Sequence, residues 1–106
     1  MRKKQKPDPM TILCNPMYGY GRWLEPTAVV VDQVLKRNVE LAERQKRTGQ
    51  AMTLEELDAE FTAVLDDLEE DGFCRRMPDL PPLVPKETWL RAQQEFINRL
   101  VTGRAL

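Results

Sequence analysis

Apolar residues recur at three- and four-residue spacing in three stretches of the chain, each bounded by helix start and stop signals. In the first, Ala28, Val31, Val34, Leu35, Leu41 and Ala42 line one side, and Asp32, Lys36, Glu40, Glu43 and Arg47 mark the other. Pro26 suits a first helical turn because its missing N–H would be unpaired there anyway, and Gly49 supplies a stop. The pattern predicts a helix over residues 26–47. The run Val29-Val30-Val31 favours strand locally, but length and periodicity overrule it.

The second stretch carries the strongest local signal. Thr53 stands three residues before Glu56, the spacing of a capping box, and Met52 is placed to staple onto Leu57. Leu54, Leu57, Phe61, Val64 and Leu68 then step by three and four, with Leu65 widening the stripe, until Gly72. This predicts a helix over 54–71, and the short connection from the first helix makes the pair an antiparallel hairpin. The third stretch, with Trp89, Leu90, Phe96, Ile97, Leu100 and Val101 on its apolar side, predicts a helix over 86–102 that ends at Gly103.

The expected fold class is therefore all-α: a helical hairpin, a proline-rich crossover over 73–85 and a third helix. The crossover holds four of the chain's eight prolines. In polyproline geometry it reaches roughly 40 Å, farther than the ~27 Å length of the second helix, so the direction of the third helix is left open. Residues 1–9 are polar and basic and read as a flexible arm, leaving 10–106 as one small helical domain. Met10 to Cys14 reads as a short strand or strap. The segment Met17-Tyr18-Gly19-Tyr20-Gly21-Arg22-Trp23 is expected to be irregular, because alternating glycines disfavour regular structure.

Composition removes several chemistries. The 106 residues include no His and no Ser, so neither a Ser-His-Asp nor a Cys-His nucleophile can be built, and no imidazole can ligate a metal. Cys14 and Cys74 lack the paired spacing of a structural zinc site. A bridge between them would contribute about 4 kcal/mol in the chain-entropy model, yet no signal-peptide pattern points to an oxidising compartment. Two reduced thiols in a cytoplasmic protein is the expectation, with no cofactor and no membrane span. Carboxylate, Lys or Tyr catalysis remains open, but the chain reads as non-enzymatic.

Charge is where the sequence becomes specific. Sixteen basic and 17 acidic residues nearly cancel, but residues 1–47 hold ten basic and five acidic, 48–74 hold nine acidic and none basic, and 75–106 hold six basic and three acidic. Glu55, Glu56 and Asp58 sit at the favourable start of the second helix. Asp66, Asp67, Glu69, Glu70 and Asp71 crowd its unfavourable end, at a cost of roughly 1–3 kcal/mol unless a cation compensates. In the hairpin, residues whose numbers sum to about 101 lie opposite one another, which brings Arg44, Lys46 and Arg47 toward Glu55, Glu56 and Asp58 and Lys36 toward Asp66, and leaves Glu69 to Asp71 opposite Val30 to Asp32 with no base. Acid-before-base spacing also predicts the pairs Asp32–Lys36, Glu40–Arg44 and Glu43–Arg47 along the first helix.

The acidic tip has three readings: neutralisation within the chain or by solvent, a basic surface on another macromolecule, or a loosely held divalent cation. A second candidate site joins Arg2, Lys3, Lys4 and Lys6 of the arm to Tyr18, Tyr20, Arg22 and Trp23, where aromatics interleaved with glycine suit single-stranded nucleic acid. Packing on the helices is the plainer use of those aromatics. Arg75 to Pro81 also fits the loose pattern of a polyproline ligand, or of a stiff linker. Asn38, among the apolar positions of the first helix, is a residue that specifies register in a helical assembly, and a homodimer is a further alternative. The leading expectation is a small regulator or inhibitor that binds a larger protein, with Asp66, Asp67, Glu69, Glu70 and Asp71 against a basic surface, a nucleic-acid-binding surface being one such kind. The alternatives are a nucleic-acid-associated protein and a structural subunit of a larger assembly.

Overall fold

A computed structural model describes residues 14–20, 23–24, 28–76 and 84–103. In chain order these form a helical turn α1 (Met17–Tyr20), a strand β1 (Trp23–Leu24), helices α2 (Ala28–Thr48) and α3 (Leu54–Glu70), a strand β2 (Arg75–Arg76) and helix α4 (Lys86–Thr102). The protein is all-α, with its three long helices packed against one another, and the two-residue strands pair antiparallel, Trp23 with Arg76 and Leu24 with Arg75. The arm 1–9, the strap up to Leu13, Pro26 and most of the proline-rich crossover lie outside the described residues.

The capping box forms as the sequence predicts. Glu56 N–H donates to Thr53 Oγ1 at 3.1 Å, and Thr53 N–H donates to Glu56 Oε1 at 2.9 Å. Helix α3 closes one residue earlier than expected, with Asp71 as its cap. Gly72, at φ +84°, then donates to the Glu69 carbonyl while Phe73 N–H donates to the Leu68 carbonyl. This pair of bonds is a Schellman motif, which reverses the chain and sets Phe73 next to the last turn of α3.

Two pairs of contacts fix the direction of α4. Asn38 Nδ2 donates to Gln93 Oε1 at 3.0 Å and Gln45 Nε2 to Asn98 Oδ1 at 2.8 Å, so α4 runs parallel to α2. Lys86 lies beside Asp58 and Gln94 donates to the Met52 carbonyl, so it runs antiparallel to α3. Helix α4 thus starts beside the second turn of α3 and runs toward the hairpin turn.

That offset divides the interior in two. Val34, Leu41, Ala42, Leu57, Phe61, Trp89, Leu90, Phe96 and Ile97, with Cys14, form the main core where all three helices meet. Val30, Val64, Leu65, Leu68 and Cys74 form a smaller cluster between α2 and α3, with Tyr20 packed against it. The buried side of α2 is turned from its expected position: Val30, Val34, Asn38, Leu41 and Ala42 are buried, whereas Val31 and Leu35 are half-buried and Ala28 is exposed. Asn38 is the reason, because a polar residue occupies the centre of the buried stripe.

The segment at Tyr20 is not irregular, as its glycines had implied. Residues 17–20 form a helical turn in which the N–H groups of Gly19 and Tyr20 both donate to the Pro16 carbonyl. A Cβ on Gly19 would lie 2.5 Å from Trp89 Cβ, so glycine is needed here for close approach to α4 rather than for freedom.

Candidate functional site

Two polar constellations and one groove of mixed lining stand out. The first joins three elements at Asp58. Tyr20 Oη donates to Asp58 Oδ1 at 2.6 Å, Thr62 Oγ1 donates at 3.2 Å, and Lys86 Nζ lies 3.4 Å from Oδ2. Burial pushes the Asp58 carboxyl up, but the bonds from Tyr20, Lys86 and Thr62 and the charge of Lys86 outweigh it, and the net shift is downward. Burial, then Asp58 itself, pushes the Tyr20 phenol far up. Tyr20 therefore stays protonated and donates, fastening α1 to the bundle.

Its ring is equally engaged. Tyr20 meets Trp89 edge-on at 5.5 Å between centroids, Trp89 meets Phe61 edge-on at 5.2 Å, and the Trp89 indole N–H donates to the Asn15 carbonyl at 3.1 Å. Lys86 Nζ sits 5.3 Å from the centre of the Tyr20 ring. Of the aromatic–basic set proposed for nucleic acid, Tyr20 is thus committed to internal packing, which favours the plainer of the two readings for it. Arg2, Lys3, Lys4, Lys6 and Arg22, and the side chains of Tyr18 and Trp23, lie outside the described residues.

The cysteines are free and both buried, one in each cluster. Burial pushes each thiol up to about 11, with hydrogen bonding from Asn38 partly opposing it at Cys14 and the charge of Glu69 adding to it at Cys74. Neither is a thiolate at neutral pH. Among the described residues, no group of three or more Cys, Asp or Glu side chains is placed to hold a metal ion, and no helix is long and apolar enough to cross a membrane.

The second constellation is the acidic end of α3. Arg37 reaches Glu60 at 2.8 Å and Glu40 at 3.3 Å, and Arg44 reaches Glu60 at 3.1 Å. These contacts replace the expected Glu40–Arg44 pairing, and Glu43 pairs with Lys46 rather than Arg47. Arg37 and Arg44 of α2 thus converge on Glu60 of α3. Asp66 and Glu69 are engaged in interactions of their own. For Asp67, Glu70 and Asp71, no cation among the described residues lies within ion-pair distance, and Asp67, Glu70 and Asp71 are exposed.

Beside that end runs a groove of about 430 Å³ between α2 and α3. Val29, Gln33 and Arg37 line one side; Val64, Asp67, Leu68 and Asp71 line the other, with Phe73 at the mouth. Val29 and Phe73 are 39% and 40% exposed. The sequence named the acids but not this groove. Its signal was present in Phe73, an aromatic one residue after the glycine that ends α3.

Set against protein-family models, curated proteins and solved structures, the chain matches none of them.

Proposed function

We propose that the protein is a small, non-enzymatic regulator or inhibitor that acts by binding a larger protein, presenting the acidic end of α3 to a basic surface. The observation that carries this reading is the set Asp67, Glu70 and Asp71: three exposed carboxylates at the wrong end of a helix dipole, with no described cation to offset them. Carboxylates so arranged keep a field that accelerates encounter with a cationic partner and rejects anionic ones. Internal neutralisation accounts instead for Glu60 and Asp58, whose cations are in contact.

The test is affinity capture from the organism of origin, with nuclease-treated controls, using the native chain and a variant carrying Asp67→Lys, Glu70→Lys and Asp71→Lys. The expected outcome is a protein partner retained after nuclease treatment by the native chain alone, while both chains give the same helical circular-dichroism signal. Equal capture by the two chains overturns the reading.

A further inference from the structure

We infer that Asn38 and Gln93 are positioning residues, whose pairing sets the register of α4 along α2 and through it brings Lys86 to Asp58 and Trp89 to Asn15. Among the described residues they are the buried polar side chains, neither with any exposed surface. They meet between the two helices, Asn38 Nδ2 donating to Gln93 Oε1 at 3.0 Å.

The apolar pattern does not set this register by itself. With α2 and α4 parallel and 55 positions between Asn38 and Gln93, Val34 stands level with Trp89, Leu41 with Phe96 and Ala42 with Ile97. A shift of α4 by one turn toward the start of α2 puts Trp89 level with Val30, Leu100 with Leu41 and Val101 with Ala42. Apolar again meets apolar, because residues four apart share a helix face. The crossover over 73–85 is long enough to follow so small a displacement, about 5.4 Å. The amides tell the two registers apart. After the shift Asn38 is level with Ile97 and Gln93 with Val34. Parting two buried amides and setting each against an apolar side chain disfavours the shifted register by at least about tenfold.

Stability alone does not account for the pair. Asn38 also donates to the Val34 carbonyl, but its Oδ1 accepts from none of the described residues, and an apolar pair of the same shape strands no acceptor. What a buried amide contributes that an apolar side chain does not is discrimination between registers, as an asparagine in a coiled-coil seam does. Register matters to the Asp58 constellation. The one-turn shift carries Lys86 from the level of Asp58 to that of Thr62, and takes Trp89 from the Asn15 carbonyl and from Gly19. Contacts that fasten α1 are thus set by an amide two turns farther along α4.

The test closes a disulfide between α2 and α4. Gln45→Cys with Asn98→Cys reports the register of the structure, where Gln45 Nε2 donates to Asn98 Oδ1 at 2.8 Å, and Gln45→Cys with Thr102→Cys reports the register one turn away. Each pair is placed in the full native chain and in a chain carrying Asn38→Leu and Gln93→Met, which keep the shapes and remove the amides. Closure by oxidised glutathione is followed by mass mapping; Cys14 and Cys74 are buried and belong to neither pair. In the native chain the 98 pair is expected to close at least about tenfold faster than the 102 pair, and in the Leu/Met chain that ratio is expected to fall at least about fivefold with the helical circular-dichroism signal unchanged. A third chain, Asn38→Gln with Gln93→Asn, restores an amide pair and is expected to restore the preference. An unchanged ratio in the Leu/Met chain overturns the inference, because the register then holds without the amides. Loss of its helical signal overturns it too, because the pair is then a requirement of folding. A swapped chain that behaves like the Leu/Met chain assigns the effect to packing and is equally fatal.

Discussion

The two ends of the hairpin are built from the same two helices and differ in what covers them. Near the turn, α4 lies in the groove between α2 and α3, so Leu41, Leu57, Phe61 and Ile97 are buried on every side. At the far end α4 has not yet begun; there Tyr20 packs against the cluster of Val30, Leu65 and Cys74, and a groove opens beside it. The charges follow the same division. Where three helices meet, Glu60 is held by two arginines and Asp58 by Tyr20, Thr62 and Lys86; at the open end, Asp67, Glu70 and Asp71 face solvent. Where α4 packs, Glu60 and Asp58 have partners within the chain; at the far end, no described cation lies within ion-pair distance of Asp67, Glu70 and Asp71.

The largest expected effect separates the two interiors. Phe61→Ala removes a fully buried ring that also supports Trp89, and is expected to cost about 3–5 kcal/mol. Leu68→Ala, whose side chain borders the groove and can relax into it, is expected to fall near the low end of the Leu→Ala range, about 2 kcal/mol. Urea unfolding followed by circular dichroism measures both, and a Leu68→Ala cost equal to that of Phe61→Ala breaks the comparison.

How much of this division the sequence disclosed depends on whether the determining contacts are local. The capping box at Thr53 and Glu56, the stripe of α3 and the bounds 86–102 are written in neighbouring residues, and they are found where the pattern put them. The direction of α4 is not local, because it depends on a crossover long enough to return to either end. The same is true of the Asp58 site: Tyr20 lies 38 positions before it and Lys86 28 positions after, so no spacing signals their meeting. Asn38, read from the sequence as a register residue among apolar positions, is fully buried and donates to the Val34 carbonyl and to Gln93, while its Oδ1 accepts from none of the described residues. One misreading comes from treating residue type as role. Gly19 reads as a breaker, yet it is the one residue that fits against Trp89.

An intermediate effect tests whether the Asp58 latch belongs to the covered end. Asp58→Asn keeps the shape but weakens the bonds from Tyr20 and Lys86, and a cost of about 1 kcal/mol is expected for so partly exposed a group. The pH dependence has a definite sign. Folding depresses the Asp58 carboxyl below its ordinary value of 3.8, so its contribution is present in full above that value and is lost as pH falls through the lower, folded-state value. Between about pH 5 and pH 2 the native chain is therefore expected to lose stability more steeply than Asp58→Asn. Parallel curves from acid titration of the unfolding midpoint would remove the latch from the account.

The smallest effect sharpens the comparison most, because its sign is opposite. Replacing Asp67, Glu70 and Asp71 by Asn, Gln and Asn removes repulsion between Asp67 and Asp71 and between Asp66 and Glu70, and removes negative charge from the negative end of α3. Their exposure and the absence of described cations mean that little attraction is lost in exchange. A gain of about 1 kcal/mol is expected at low salt, shrinking as salt screens the native charges. Neutralising Glu60 in the same way removes the acceptor of two arginine contacts and is expected to lose stability instead. Thermal unfolding of both chains at two salt concentrations measures the contrast. A triple variant less stable than the native chain would mean that the acidic end is satisfied from within, and that the open end of the hairpin is no more available than the covered one. A gain would identify carboxylates kept at the expense of stability, the pattern that a binding surface leaves in a fold.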